Sequence, residues 1–217
     1  MNDAAAALRP RKSPVQARSA ATIDALHIAA VQVLTREGLD LCTTTRIAAR
    51  AGMSVGSLYQ YYPNRDALLA AVLERHLDDV ARTVEQACHG CRGKPIAQMA
   101  PALVGAFVAA KLRDPEESKA LYAVAEARGG AALTAHTHRR VVAAVAELLA
   151  SAPDAHFEDP VMTSAIALSA LVGPVRTLLE GRAPAGFAEC LEEQLVLLLT
   201  AYLRSCRSVP ERKMERS

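Results

Sequence analysis

Residues 43–65, TTTRIAARAGMSVGSLYQYYPNR, decide how this chain is to be read. Ile47, Ala48 and Ala51 place small and branched apolar groups on one face of a first short helix, with Thr43 or Thr44 available to cap its N-terminus. Gly52 ends that helix. Ser54 is positioned to cap a second one, in which Leu58 and Tyr62, four residues apart, face inward, while Val55, Gly56, Ser57, Gln60 and Tyr61 stay outside. Two short helices across a glycine turn, the second with a polar outer face, are the pattern of a helix-turn-helix that enters a DNA major groove by its N-terminal end. The outward residue types suit that task. Gln60 can pair with N6 and N7 of adenine, Val55 can touch a thymine methyl, Gly56 lets backbone approach closely, and the hydroxyls of Ser57, Tyr59 and Tyr61 can donate to phosphate oxygens. Ser54 sits at the edge of the same surface, and Arg65 adds a cation where a phosphate would lie.

The segment resembles the DNA-binding domain of TetR-family transcriptional regulators. The resemblance rests on a threonine-led helix (TTTRIAARAG), an Ala-Gly-hydrophobic-Ser turn running into MSVGSLYQYY, and the following PNRDALL. It covers roughly the first third of the chain and implies phosphate or base contacts for Thr44, Thr45, Val55, Gly56, Ser57, Tyr59, Tyr61 and Arg65. Arg65 stands where lysine is more usual, which keeps the charge and changes the donor geometry. The resemblance also implies a homodimer that reads a palindromic operator, and a helical C-terminal domain that takes a small-molecule effector.

Charge is distributed in keeping with that reading. Residues 1–65 carry eight Lys or Arg against four Asp or Glu, whereas the remaining residues carry 17 against 19. A positive field at the helix-turn-helix end supplies sequence-independent, salt-sensitive DNA affinity. The longest unbroken apolar run, near Leu195–Leu199, is far shorter than the ~18 residues of a membrane span. The N-terminus lacks an apolar segment before a cleavage site, so the expected compartment is the cytoplasm and no membrane partner is expected.

Working outward, the expected architecture is all-α. Residues 1–12 form a tail, 13–64 a three-helix DNA-binding domain, 65–207 a helical effector-binding and dimerisation domain, and 208–217 a second tail. Ser13, Pro14 and Gln16 form a capping-box arrangement, followed by a helix with Ile23, Leu26, Ala30, Val33 and Leu34 on one face until Gly38. His27 reads as a packing or surface histidine. From the Asn64 cap, a helix of about two dozen residues and ~30 Å carries Leu68, Leu69, Val72, Leu73, Leu77, Val80 and Val84 toward Cys88. Further helices are expected from Pro95 to Arg113, with Pro101 either a kink or the true start; from Asp114–Pro115 to the glycines at 129 and 130; from Ala131 to Ser151; from Asp159–Pro160, bent or broken at Gly173–Pro174; and after Pro184.

The last two helices are the expected dimer interface, through Leu168, Leu171, Val175, Leu191, Leu195, Leu198 and Tyr202 in a four-helix arrangement. Met99, Leu103, Phe107, Leu121, Tyr122, His136 and Met162, apolar with a few polar tips, are the expected effector contacts. No cofactor and no metal are expected. Cys88 and Cys91 form one CHGC and His136 with His138 one HxH, but no second CxxC completes a zinc pattern. The chain has no Gly-rich phosphate loop, nucleophile elbow or HExxH, so no enzyme is expected. A helical protein-binding adaptor is the competing reading; it accounts for the apolar helices but not for the exposed polar residues beside Arg65.

Overall fold

The computed structural model describes residues 17–127 and 130–208. Nine helices occupy them: α1 (Ala17–Glu37), α2 (Thr44–Arg50), α3 (Val55–Tyr59), α4 (Arg65–Cys91), α5 (Ile96–Leu112), α6 (Pro115–Glu126), α7 (Gly130–Ala150), α8 (Pro160–Leu179) and α9 (Phe187–Cys206). The Ser13 capping box and both expected tails, apart from Ser208, lie outside the described residues. The fold is all-α, a DNA-binding-type helical head followed by a helical C-terminal part.

Local chemistry places most boundaries. Asp114 Oδ1 accepts the Glu117 amide at 2.9 Å and Asp159 Oδ1 the Met162 amide at 2.8 Å, each with proline at the first helical position. Asn64 Oδ1 accepts the Ala67 amide at 2.8 Å and starts α4, whose 27 residues extend about 40 Å. Pro101 and Pro174 both lie inside continuous helices, so neither the later start of α5 nor the break in α8 is realised. Each proline costs one backbone hydrogen bond; burial of neighbours such as Ala100, Leu103, Leu171 and Val175 holds the helices across them.

The contacts divide the chain into two compact units, and the division departs from the expected boundary at residue 64. Among the described residues, one unit comprises 17–78 with 114–127 and 130–136, the other 79–113 with 137–208. In the first, α1 packs on α2 and α6, and α2 on α3. Its core joins Leu26, Ala30, Val33, Leu34, Ile47, Ala48, Leu58, Tyr62, Leu68 and Leu73 to Leu121 and Val124 of α6. A short three-helix head has too little apolar surface of its own, so the start of α4 and the whole of α6 complete it. In the second unit α9 packs on α5 and α8, and α5 on α8. The face of α9 carrying Leu191, Leu195, Leu199 and Leu203 is buried.

One polar pair lies within the first core. His27 Nε2 is 2.7 Å from Tyr62 Oη, and His27 Nδ1 is buried without a partner. Burial, and secondarily the charge of Arg75, lowers the His27 pKa to about 4. The folded state therefore binds this proton less readily than the unfolded chain, whose histidine titrates near 6.5. Stability contributed by neutral His27 is complete above pH 6.5 and is lost as pH falls from 6.5 toward 4. Urea-unfolding midpoints should decline over that window, and His27→Gln, which keeps a hydrogen-bonding group facing Tyr62 but does not titrate, should flatten the decline.

Candidate nucleic-acid interface

The recognition element is a product of its flanks. Thr43 Oγ1 accepts the Arg46 amide at 3.3 Å and opens α2. Gly52, at φ +69°, makes the left-handed turn between the helices, a conformation that would strain an L side chain. Ser54 Oγ accepts the Ser57 amide at 3.0 Å and starts α3; the two serine hydroxyls are 2.9 Å apart. Leu58 and Tyr62 are both buried as expected, but the helix ends at Tyr59, so Tyr62 anchors the chain just beyond it; Leu58 within the helix and Tyr62 after it fix the orientation of the five-residue helix.

That orientation distributes the expected DNA contacts unevenly. Thr45, Ser54, Gly56, Tyr59 and Gln60 are exposed, and Thr44, Val55, Ser57, Tyr61 and Arg65 are half-buried. Val55 and Tyr61 pack against the core, so they are less fully outward than their spacing implied. Thr44 Oγ1 and Tyr59 Oη lie 3.3 Å apart, joining the N-terminus of α2 to the end of α3. Arg65 donates from Nε to Asp66 Oδ1 at 3.0 Å, and its Nη1 lies 3.5 Å from the Leu39 carbonyl.

Two further cations share this region. Arg46 is paired with Glu37, and Arg50 Nε donates to Gln32 Oε1 at 2.5 Å. Both side chains are exposed on α2. Neither falls on the apolar face set by Ile47 and Ala48, which leaves both cations on the outer side of α2.

Residues 28–72 match the family described as "Bacterial regulatory proteins, tetR family", and residues 95–203 match "Tetracyclin repressor-like, C-terminal domain". The chain belongs to the TetR family. This is a family of non-enzymatic, DNA-binding transcription regulators. Over 67 residues this TetR-family chain is 37% identical to the HTH-type transcriptional repressor DrrR1 of Streptomyces coeruleorubidus, a stretch amounting to 31% of this chain and 24% of that protein. The match thus spans about a quarter of that relative's length. Solved structures share the fold. The fatty acid degradation regulator FadR from Bacillus halodurans superposes with a TM-score of 0.65 at 16% identity, covering 82% of this chain and 97% of its own. SmeT, the repressor of the Stenotrophomonas maltophilia multidrug efflux pump SmeDEF, gives 0.66 at 19% identity, covering 86% and 90%.

The remaining expected sites fare differently. Met99, Leu103 and Phe107 are buried on α5. Leu121 instead belongs to the core of the first unit, because α6 packs on α1, and Tyr122 beside it is half-buried. His136 is exposed, as is Met162 at 57%, so neither faces an apolar interior. The expected interface residues Leu168, Leu171, Val175, Leu191 and Leu195 are buried within their own chain. Their seams are what hold α8 and α9 to neighbouring helices, so they present no outer surface. Leu198 is exposed and Tyr202 half-buried. The apolar residues that do face outward are Val161, Met162, Ile166 and Val172 on α8 with Leu197 and Leu198 on α9.

Among the described residues, no group of three or more His, Cys, Asp or Glu side chains could hold a metal ion. Burial, with the Cys91 thiol and Glu85 nearby, raises the Cys88 thiol to about 11, which leaves it protonated and a poor nucleophile at neutral pH. Although it holds no long unbroken apolar run, α8 is by length and composition alone apolar enough to cross a membrane; a third of that stretch is buried within the chain.

The cap of α3 is the part of this surface most open to a stability test. Ser54→Ala removes the acceptor for the Ser57 amide and should lower unfolding free energy by about 1 kcal/mol, measured by chemical denaturation.

Proposed function

We propose that this protein is an operator-binding transcriptional repressor that acts as a homodimer and is released by a small, largely apolar molecule. The observation that carries the DNA reading is a glycine on this surface that the fold does not need. Gly56 is the clearest case. Its φ is not positive, and a Cβ built there would meet only Ser54 Oγ at an ordinary 3.7 Å. Glycine inside a helix costs roughly 0.5–1 kcal/mol relative to alanine, and nothing within the chain requires it. A close approach by an outside body, here the wall and floor of the major groove, gives the missing side chain a purpose. Beside it stand the exposed Gln60 amide and the Thr45 and Tyr59 hydroxyls. Thr44, Ser54, Val55, Ser57, Tyr61 and Arg65 complete the proposed contact set. A protein-binding adaptor gives no reason for this combination.

The dimer reading is supported by the outer faces of α8 and α9. Met162, Ile166, Ser169 and Gly173 recur at helical spacing on α8, and Leu197, Leu198, Ala201 and Ser205 do so on α9; all eight are exposed in the single chain. Leu197 is 62% and Ile166 48% exposed. Large apolar groups interleaved with small ones allow close helix approach, and a twofold copy would supply a self-complementary surface. This also accounts for the high apolar content of α8. The effector reading draws on the buried Met99, Leu103 and Phe107, and on structural neighbours named for fatty acid degradation and multidrug efflux.

Gly56→Ala should act with opposite signs on two measurements: thermal stability unchanged or raised, operator affinity reduced. Gln60→Ala should weaken binding to the chain's own operator by about 1–3 kcal/mol in gel-shift titration while leaving affinity for random duplex and the melting temperature unaltered. Equal loss on both duplexes would refute base reading by Gln60. Replacing Leu197 and Leu198 together by Glu should convert a dimer to monomers in analytical ultracentrifugation with helix content retained; dimers that persist would place the interface elsewhere.

A further inference from the structure

The inward seam of α4 changes chemistry at its end. Leu77, Ala81, Val84, Cys88 and Cys91 follow one another at spacings of four, three, four and three, so all share one face of the helix. Cys88 and Cys91 are both buried and both free thiols. Residues three apart on a helix have Cβ atoms about 5–6 Å from each other. A metal ion held between two thiolates brings the sulfurs to within about 4–5 Å of each other, since even the longer bonds of a four-coordinate zinc site are about 2.3 Å. The side chains can therefore converge on one ion without unwinding the helix.

A way in exists at the same place. Cys88 lines a half-open groove of about 130 Å³ together with Glu85, His89, Arg92, Glu147 and Leu148. Cys91 is the final residue of α4, where unpaired carbonyls give the helix end a partial negative charge that favours a cation. The number and softness of the donors select the metal. Two sulfurs without a third His, Cys, Asp or Glu among the described residues cannot complete the tetrahedral set that zinc requires. Thiolate donors suit copper(I), and this ion accepts two-coordination.

We infer that Cys88 and Cys91 form a two-coordinate site for copper(I) at the end of α4. Binding is an exchange without electron transfer. Two S–H bonds give up their protons to solvent, two Cu–S bonds form, and copper stays in the +1 state throughout. The site is independent of the DNA reading, since no residue in it belongs to the proposed contact surface.

The test is an anaerobic titration of the full-length chain against the copper(I)–bicinchoninate complex, which loses colour as copper is withdrawn. Wild type and the triple variant Cys42→Ser, Cys190→Ser, Cys206→Ser should each withdraw one copper per chain. Cys88→Ser and Cys91→Ser should each lose that uptake while keeping wild-type far-ultraviolet circular dichroism. Uptake retained in the Cys88→Ser, Cys91→Ser double variant, or lost in the triple variant, would overturn the site. Copper X-ray absorption of the loaded wild-type protein decides the matter even where the serine variants fail to fold. Two sulfur neighbours support the proposal; three sulfurs, or any nitrogen or oxygen neighbour, refute it.

Discussion

The insertion of Leu58 and Tyr62 into the core of the first unit is the constraint on which the proposed DNA-facing surface depends. A five-residue helix has no independent stability in water, since nucleation fixes several dihedrals for very few hydrogen bonds. α3 exists because its Leu58 and the Tyr62 that follows it are fully buried, the Ser54 hydroxyl accepts the Ser57 amide, and Gly52 makes the left-handed turn that precedes it. Those three conditions leave no rotational freedom. Once they are met, Gly56 and Gln60 must face solvent.

Anchoring so short a helix demands a larger core than the head itself provides. Leu121 and Val124 meet that need from more than fifty residues away in the chain. Their role explains why the unit does not end with α3 or with the start of α4. α4 contributes its first half to one unit and its second half to the other, and α7 is shared in the same way. Any event that displaced α6 from α1 would expose apolar surface in the unit that carries the recognition helix. At roughly 25 cal/mol per Å² of apolar surface, even partial exposure weighs appreciably against the marginal stability of a small domain.

What could be read from the sequence follows from how local each feature is. The caps at Thr43, Ser54, Asn64, Asp114 and Asp159 and the glycine stops at 38 and 52 depend on a few adjacent residues, and the structure has each of them where the pattern puts it. The inward pair Leu58 and Tyr62 was legible for the same reason. Assigning α6 was not, because its apolar stripe says that something is covered without saying which unit covers it. The same ambiguity governed α8 and α9. Each carries apolar residues on two faces, and spacing alone cannot tell the face that meets its own domain from the one left outside; Leu171 and Leu195 turned out to be inner, Ile166 and Leu197 outer. The His27–Tyr62 hydrogen bond, between residues 35 apart, had no sequence signature beyond two polar groups on apolar faces.

The ion pairs around the head show how affinity for a polyanion can be added at little cost to the fold. Arg46 with Glu37 and Arg65 with Asp66 are pairs whose side chains are at least a third exposed, and the Arg50–Gln32 hydrogen bond is likewise at the surface. Exposed pairs of this kind contribute about 0–1 kcal/mol to stability. Each cation is nonetheless held by its partner in a defined place instead of sweeping through solvent, so less side-chain entropy remains to be lost when a phosphate replaces the carboxylate or amide. Exchanging one weak surface partner for another leaves the Leu58–Tyr62 anchorage undisturbed. In the proposed reading, electrostatic affinity and the positioning of α3 are thereby separated: the arginines would set how strongly and how salt-dependently a duplex is held, and the buried seam which side chains meet its bases.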